Sequence, residues 1–274
     1  MRSVANVALD LLREALSRKW FLALGAGITL LLALLALSLR LEVADGALAA
    51  TRLFGTDMGA TDTAMKAILG GAASLVFYGG VVFGIVACAD FGPSLLAPGR
   101  VELMLALPIR RWELLVGTWL GVFAIATLGA LYGAGGLTLV LGLKAGLWTP
   151  GPLLASLLGS ATFAGIYAAM LAATTWVRSA AVSAAAGFAV FFAGIVAGHR
   201  DDILPAFAPG VGRAAFSFLS SLFPRISSLG SDAIALAASG ASELDGLAWH
   251  LGGLAIFGLS CLAFATWRFE GRDF

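Results

Sequence analysis

The sequence predicts an all-α polytopic membrane protein with six transmembrane helices, a leading amphipathic interfacial helix, and both termini in the cytoplasm. Three observations carry that prediction. The 274 residues are 60% hydrophobic and 12% charged, against about 45–50% and 25% in soluble domains. The apolar residues gather into runs of roughly 20, the length that crosses about 30 Å of hydrocarbon. The lysines and arginines fall unevenly between the intervening loops, which sets orientation. One transmembrane domain over residues 1–274 accounts for the whole chain.

Residues 1–19 form the first unit. Val4, Val7, Ala8, Leu11, Leu12, Ala15 and Leu16 recur at helical i, i+3, i+4 spacing, with Asn6, Asp10, Arg13, Glu14, Ser17 and Arg18 on the other face. Such a helix lies in the interface plane and leads into a span at Trp20, an interfacial anchor. Ala47-Leu48-Ala49 has the form of a signal-peptidase site, but the polar leader is too long and the apolar run exceeds the usual 7–15 residues, so no cleavage is expected.

The six expected spans are Trp20–Leu39, Ala67–Ala89, Leu114–Leu143, Pro152–Val177, Ala180–Gly198 and Leu247–Trp267. The third is long enough to tilt within the bilayer or to project from it. Residues 199–246 are expected as an extracytoplasmic segment with short helices. Ile203–Phe223 holds Pro205, Pro209 and Arg213, while Ile226–Leu244 holds Asp232, Glu243 and many serines. Charge and free backbone groups are costly in hydrocarbon, so these helices are expected at the membrane surface, with a re-entrant pair as the alternative.

Lys/Arg placement gives the orientation. With the N-terminus inside, the cytoplasmic set is Arg2, Arg13, Arg18, Lys19, Arg100, Arg110, Arg111, Arg178, Arg268 and Arg272. The outer set is Arg40, Arg52, Lys66, Lys144, Arg200, Arg213 and Arg225, spread over longer segments. Both termini and Asp90–Glu113 therefore fall on the cytoplasmic side.

Much chemistry is missing from the chain. It carries no G-x-x-x-x-G-K-[ST] phosphate loop. His199 and His250 lack metal-ligand spacing, and Cys88 and Cys261 sit inside apolar runs as packing residues, so no catalytic, cofactor-binding or metal site is expected. The serines Ser160, Ser183 and Ser260 have no identifiable base and read as helix-packing hydroxyls. Asp90, Arg178 and His250 stand at span ends, whereas ion-coupled carriers usually place ionisable groups within the bilayer. No basic cluster exists to neutralise nucleic-acid phosphates. The pairs Gly80/Gly84, Gly117/Gly121, Gly129/Gly133 and Gly194/Gly198 permit close helix approach, but among 35 glycines several such pairs arise by chance.

The segment Asp90–Glu113 is different. It interrupts two apolar runs, is punctuated by Pro93, Pro98 and Pro108, and flanks the patch Leu103–Leu107 with Arg100, Glu102, Arg110, Arg111 and Glu113. A loop that only reverses the chain needs no apolar patch. Gly99 and Pro108 bracket a short helix, Arg100–Leu107, with Leu103, Leu105 and Leu107 available to a partner's groove. Burial of the same helix among lipid headgroups is the alternative.

Gly99-Arg100-Val101-Glu102-Leu103-Met104-Leu105-Ala106-Leu107-Pro108-Ile109-Arg110-Arg111-Trp112-Glu113, followed by Leu114-Leu115-Val116-Gly117, resembles the G-x-x-E-x-x-L-x-x-P stretch before the third span of ABC-2 type transporter permeases. The ending Trp267–Phe274 is similar to the basic F-x-x-R-D tail of that family, and Ser17-Arg18-Lys19-Trp20 to its connecting helix. Within it the chain looks most like the copper-processing permease group of nitrous-oxide reductase maturation. It departs from the family at Asp90-Phe91-Gly92-Pro93, where many relatives are more acidic.

The resemblance implies a permease subunit of an ATP-driven ABC exporter in a bacterial cytoplasmic (inner) membrane. It implies two copies of a cytoplasmic P-loop ATPase that bind the ATP and magnesium, with no enzyme activity or cofactor in this chain. A second permease copy, identical or related, completes the assembly among membrane lipids, without nucleic acid. Asp90–Glu113 becomes the coupling segment, with Gly99, Arg100, Glu102, Leu103, Leu105, Pro108, Arg110, Arg111, Trp112 and Glu113 at the ATPase interface. An ion-coupled secondary carrier and a non-transporting membrane scaffold are the rival classes.

Overall fold

With no water inside a bilayer, backbone N–H and C=O groups must bond within their own segment, so the apolar runs fold as helices. The computed structural model describes residues 2–17, 19–44, 47–53, 56–57, 61–106, 109–145, 148–239 and 246–271. Helix α1 (Arg2–Ser17) is followed by α2 (Lys19–Ser38). The strands β1 (Leu39–Ala44), β2 (Ala47–Leu53) and β3 (Thr56–Asp57) then form an antiparallel meander, with Leu39 opposite Leu53 and Arg52 opposite Asp57. The meander was not expected. Its signal lies in Leu39, Leu41 and Val43 alternating with Arg40 and Glu42 before the hairpin dipeptide Asp45-Gly46.

The next run is nearly continuous. Helix α3 (Thr61–Ser74) passes through a π-helical turn at Leu75–Gly79 into α4 (Gly80–Cys88), and α5 (Phe91–Leu95) extends it. After α6 (Arg100–Leu105) come three long helices, α7 (Arg111–Ala145), α8 (Gly151–Thr174) and α9 (Ala180–Gly198). Helix α10 (Arg200–Ile203), a 3-10 turn at Leu204–Ala206, α11 (Val211–Ser221) and α12 (Ile226–Ser239) lead to α13 (Leu247–Glu270).

Among the described residues five helical runs are long and apolar enough to cross a membrane: Leu69–Leu95, Arg111–Lys144, Gly151–Thr174, Ala180–Gly198 and Leu247–Glu270. In α2 the apolar stretch Gly25–Leu37 is shorter, within a helix of 20 residues. At 1.5 Å per residue α8 and α13 are each about 36 Å long, enough for the hydrocarbon layer, and α7 about 50 Å.

Helix α8 is the hub, packed on by α4, α7, α9, α12 and α13 and buried along most of its length. Small residues allow this. A Cβ on Gly165 would lie 2.6 Å from Leu254 Cδ1 of α13, and one on Gly258 would lie 3.3 Å from the Gly165 Cα. The serine and threonine hydroxyls of α8 (Ser156, Ser160, Thr162 and Thr174), and that of Thr175 just past its end, donate to carbonyls three or four residues back, whereas the buried Tyr167 hydroxyl has no partner among the described residues. Trp119 Nε1 of α7 donates to the Ala164 carbonyl at 2.8 Å.

Two segments differ from expectation. Phe91, Gly92, Pro93, Leu95 and Leu96 are buried, so Asp90–Leu96 prolongs the span instead of starting a polar loop. Proline is tolerated there because it sits in a helix's first turn. Gly92 lets the backbone close onto Thr174 and Leu171, where a Cβ would meet both at 3.0–3.3 Å. In the second segment, α12 packs into the bundle rather than resting on it, against α3, α8 and α9, with Ile226, Leu229, Ala233, Leu236 and Ala237 buried. Added Cβ atoms at Gly194 and Gly198 would strike Ile226, the Pro224 carbonyl and Ser227, and one at Gly151 the Leu236 carbonyl. These contacts place α12 where α8 begins and α9 ends.

Candidate functional site

At the opposite end of the same helices a second, smaller apolar cluster joins distant parts of the chain: Val7, Leu95, Leu96, Val101, Leu114, Leu115, Ala265 and Phe269, with Met104, Ile109 and Ala172 against it. It gathers α1, α5, α6, the first turns of α7 and the last turns of α13. Both described ends of the chain thus meet the segment that sequence singled out.

Helix α6 is built by its caps. Gly99 holds φ +82°, a left-handed conformation that glycine adopts without strain. Pro98 precedes it, and Glu102 lies in the first turn, where the helix dipole favours a carboxylate. The helix ends at Leu105, two residues earlier than expected. Val101 is fully buried and Met104 half-buried, which pins one face to the cluster; burying such a side chain is worth about 1.5–3 kcal/mol. Glu102, Leu103 and Ala106 form the outward face, with Leu103 72% exposed.

The residues singled out by sequence divide by what they touch. Arg100 makes a two-pronged ion pair with Glu14 of α1, Nη2 to Oε2 at 2.6 Å and Nη1 to Oε1 at 3.5 Å. Both side chains are about a third exposed, so the pair is worth about 1 kcal/mol or less. Arg111 donates from Nη1 to the Glu270 carbonyl at 3.1 Å, tying α7 to the end of α13. Glu113 caps its own helix: its Oε2 accepts the Arg110 backbone N–H at 3.0 Å. Glu102, Leu103, Arg110 and Trp112 are left facing outward. Leu105 is described by its backbone alone, and Leu107 and Pro108 lie outside the described residues. Beside α6, the residues Ile109, Arg110, Arg111, Trp112 and Glu270 line an open depression of about 640 Å³.

Sequence reasoning missed Val101 and Met104, whose i, i+3 spacing with the cluster was the available signal. It also missed the tie between α6 and α1, which no local pattern announces. Among the described residues, no group of three His, Cys, Asp or Glu side chains could hold a metal ion. At the far end, beside the exposed Arg225–Asp201 pair, stands a second and more buried ionisable pair. His250 Nδ1 of α13 lies 2.9 Å from Asp232 Oδ2 of α12, a hydrogen bond from ring to carboxylate with both side chains about 15% exposed.

Fold and composition define the chain as an α-helical, multi-pass membrane protein whose short helix α6 packs on an apolar cluster shared with α1 and the last turns of α13. No protein-family model matches the chain, and no curated protein does.

Proposed function

We propose that this chain is the membrane-spanning permease subunit of an ATP-driven ABC exporter in a bacterial cytoplasmic membrane, with six spans that include α2 and with both termini on the cytoplasmic side. The observation that carries this reading is the seat of α6. A helix nailed down by Val101 and Met104 and braced through Arg100 to α1 presents Glu102 and Leu103 to a partner. A push on its outer face is passed to α1, α7 and α13 rather than absorbed by a slack loop.

In this reading α6 is the coupling helix, seated on a P-loop ATPase, and its neighbours Arg110 and Trp112 complete the interface. ATP-driven closure of two ATPase subunits moves the α6 helices of two permease copies and biases the membrane helices between two arrangements. The resemblance of Gly99–Glu113 to ABC-2 permeases supports the same assignment.

The test is Leu103→Asp. Leu103 is exposed, so the change leaves stability within about 0.5 kcal/mol, while a charge placed in an apolar contact abolishes co-purification of the P-loop ATPase that this reading calls for. Undiminished co-purification would sink the docking assignment. A second reading, an ion-coupled carrier, is favoured by the Asp232–His250 pair alone. Transport that persists without any ATPase, collapses with an uncoupler and disappears in Asp232→Asn would establish it instead.

A further inference from the structure

A long slot runs between α2 and the α3–α4 run, with α7 and α8 as its floor. Its volume is about 620 Å³, inside the range of about 300–1,000 Å³ typical of small-ligand sites. It reaches from Gly71 to Cys88 along one helical run, about 25 Å at 1.5 Å per residue. That length is close to the thickness of the hydrocarbon layer, about 30 Å, and the walls belong to the membrane-crossing helices themselves.

The slot's chemistry is uniform. Among the described residues no charged side chain lines it. The two hydroxyls among the described lining residues, Ser156 and Ser160, are already committed to the Leu153 and Leu157 carbonyls. Water has no partners on such walls, and an empty space of this size would forfeit dispersion contact on every side. Glycines make the room: an added Cβ at Gly71, Gly80 or Gly129 meets nothing within 4 Å.

The slot opens sideways because α2 leans on one neighbour. Thr29 Oγ1 and the Tyr132 hydroxyl are hydrogen-bonded at 2.6 Å, and Ile28 and Leu32 lie over Gly133 and Gly136 of α7. Helix α2 packs on α7 and only grazes the α3–α4 run among the described residues. Leu31 of α2 and Phe83 of α4, at the two lips, are both exposed.

We propose that this slot holds one acyl chain of a membrane phospholipid, entering from the bilayer between α2 and α4 while its headgroup stays at the interface. The site lies within a single copy, and it stands whether or not the exporter reading does. A bound chain adds packing to α2 on this side, beyond what the described residues supply, and takes part in any movement of α2 relative to α4.

The experiment uses the full chain in nanodiscs containing a phospholipid with a photoreactive diazirine in its acyl chain, with labelled peptides mapped by mass spectrometry. The expected result is labelling concentrated on the slot-lining stretches of α2 and α7. In Gly80→Leu/Gly129→Leu, which fills the slot with good helix formers, that labelling falls about tenfold or more, a loss of about 1.4 kcal/mol per decade of affinity. Labelling of the exposed Ile256 and Leu259 face of α13 stays constant and reports that the variant is folded. Slot labelling no higher than that of α13, or unchanged in the filled variant, overturns the proposal. So does complete linkage of two copies by a bis-maleimide through Leu31→Cys on a Cys88→Ser/Cys261→Ser background, which would give the slot to a second copy.

Discussion

Glycine shows how much a single residue decides in this molecule. A Cβ on Gly117 would lie 2.7 Å from Val7 Cβ and 3.0 Å from the Val4 carbonyl; one on Gly121 would crowd Leu11 and the backbone of Ala8. The two glycines are the bed in which α1 rests on α7. Gly117→Val is therefore expected to cost about 1–3 kcal/mol by overpacking, read as a lowered melting temperature in detergent. Gly129→Ala, with open space around it, serves as the control and leaves the melting temperature unchanged or slightly raised. Spacing alone showed four such glycine pairs and could not rank them, because G-x-x-x-G declares a smooth surface without declaring its partner. For Gly117 and Gly121 the partner is α1, and for Gly194 and Gly198 it is α12.

Among the elements, the long apolar spans were legible because a run of about 20 apolar residues has only one solution in lipid. Helix α9 matches its expected bounds, and α8 and α13 match within a few residues. Helix α12 was harder to read. Its Asp232 and serines argued for the surface, yet Asp232 has His250 as partner, and Ser227 and Ser231 donate to the Ile195 and Ser227 carbonyls. Compensation of that kind comes from residues distant in sequence, so composition cannot display it. Helix α6 was legible at its start, where Gly99 and Pro98 punctuate the chain, but the face it shows was not, because Leu103, Leu105 and Leu107 at i, i+2 spacing cannot share one side of a helix. The split between its faces is testable. Val101→Asp places an unpaired charge in the cluster and is expected to lower the melting temperature as well as ATPase binding. Leu103→Asp should spare the first while removing the second, and equal melting losses in both variants would contradict the assignment of faces.

At the scale of the whole molecule the structure supplies relative placement, and charge supplies direction. Helix α6, α1 and the end of α13 share one end of the bundle, while α12 sits at the other. In the proposed topology, the excess of lysine and arginine around the first end turns that axis toward the cytoplasm. On a cysteine-free background, an impermeant maleimide is expected to reach Leu103→Cys only from the cytoplasmic side and Arg213→Cys of α11 only from outside. Labelling of both from one side would invert or fold the proposed topology.

The length of α7 has a mechanical consequence. It is a rod of about 50 Å whose base is clamped among α1, α6 and α13. A tilt of about 5° at that base carries the far tip roughly 4 Å, which is nearly a helical turn. Tyr132, which holds α2 by a hydrogen bond, rides on the moving portion. In the proposed coupling, where α8 and α2 move with α7, a displacement too small to unseat the apolar cluster would be magnified along α7 before it reached the far face of the membrane. The clamp sets the leverage, and the rod sets the gain.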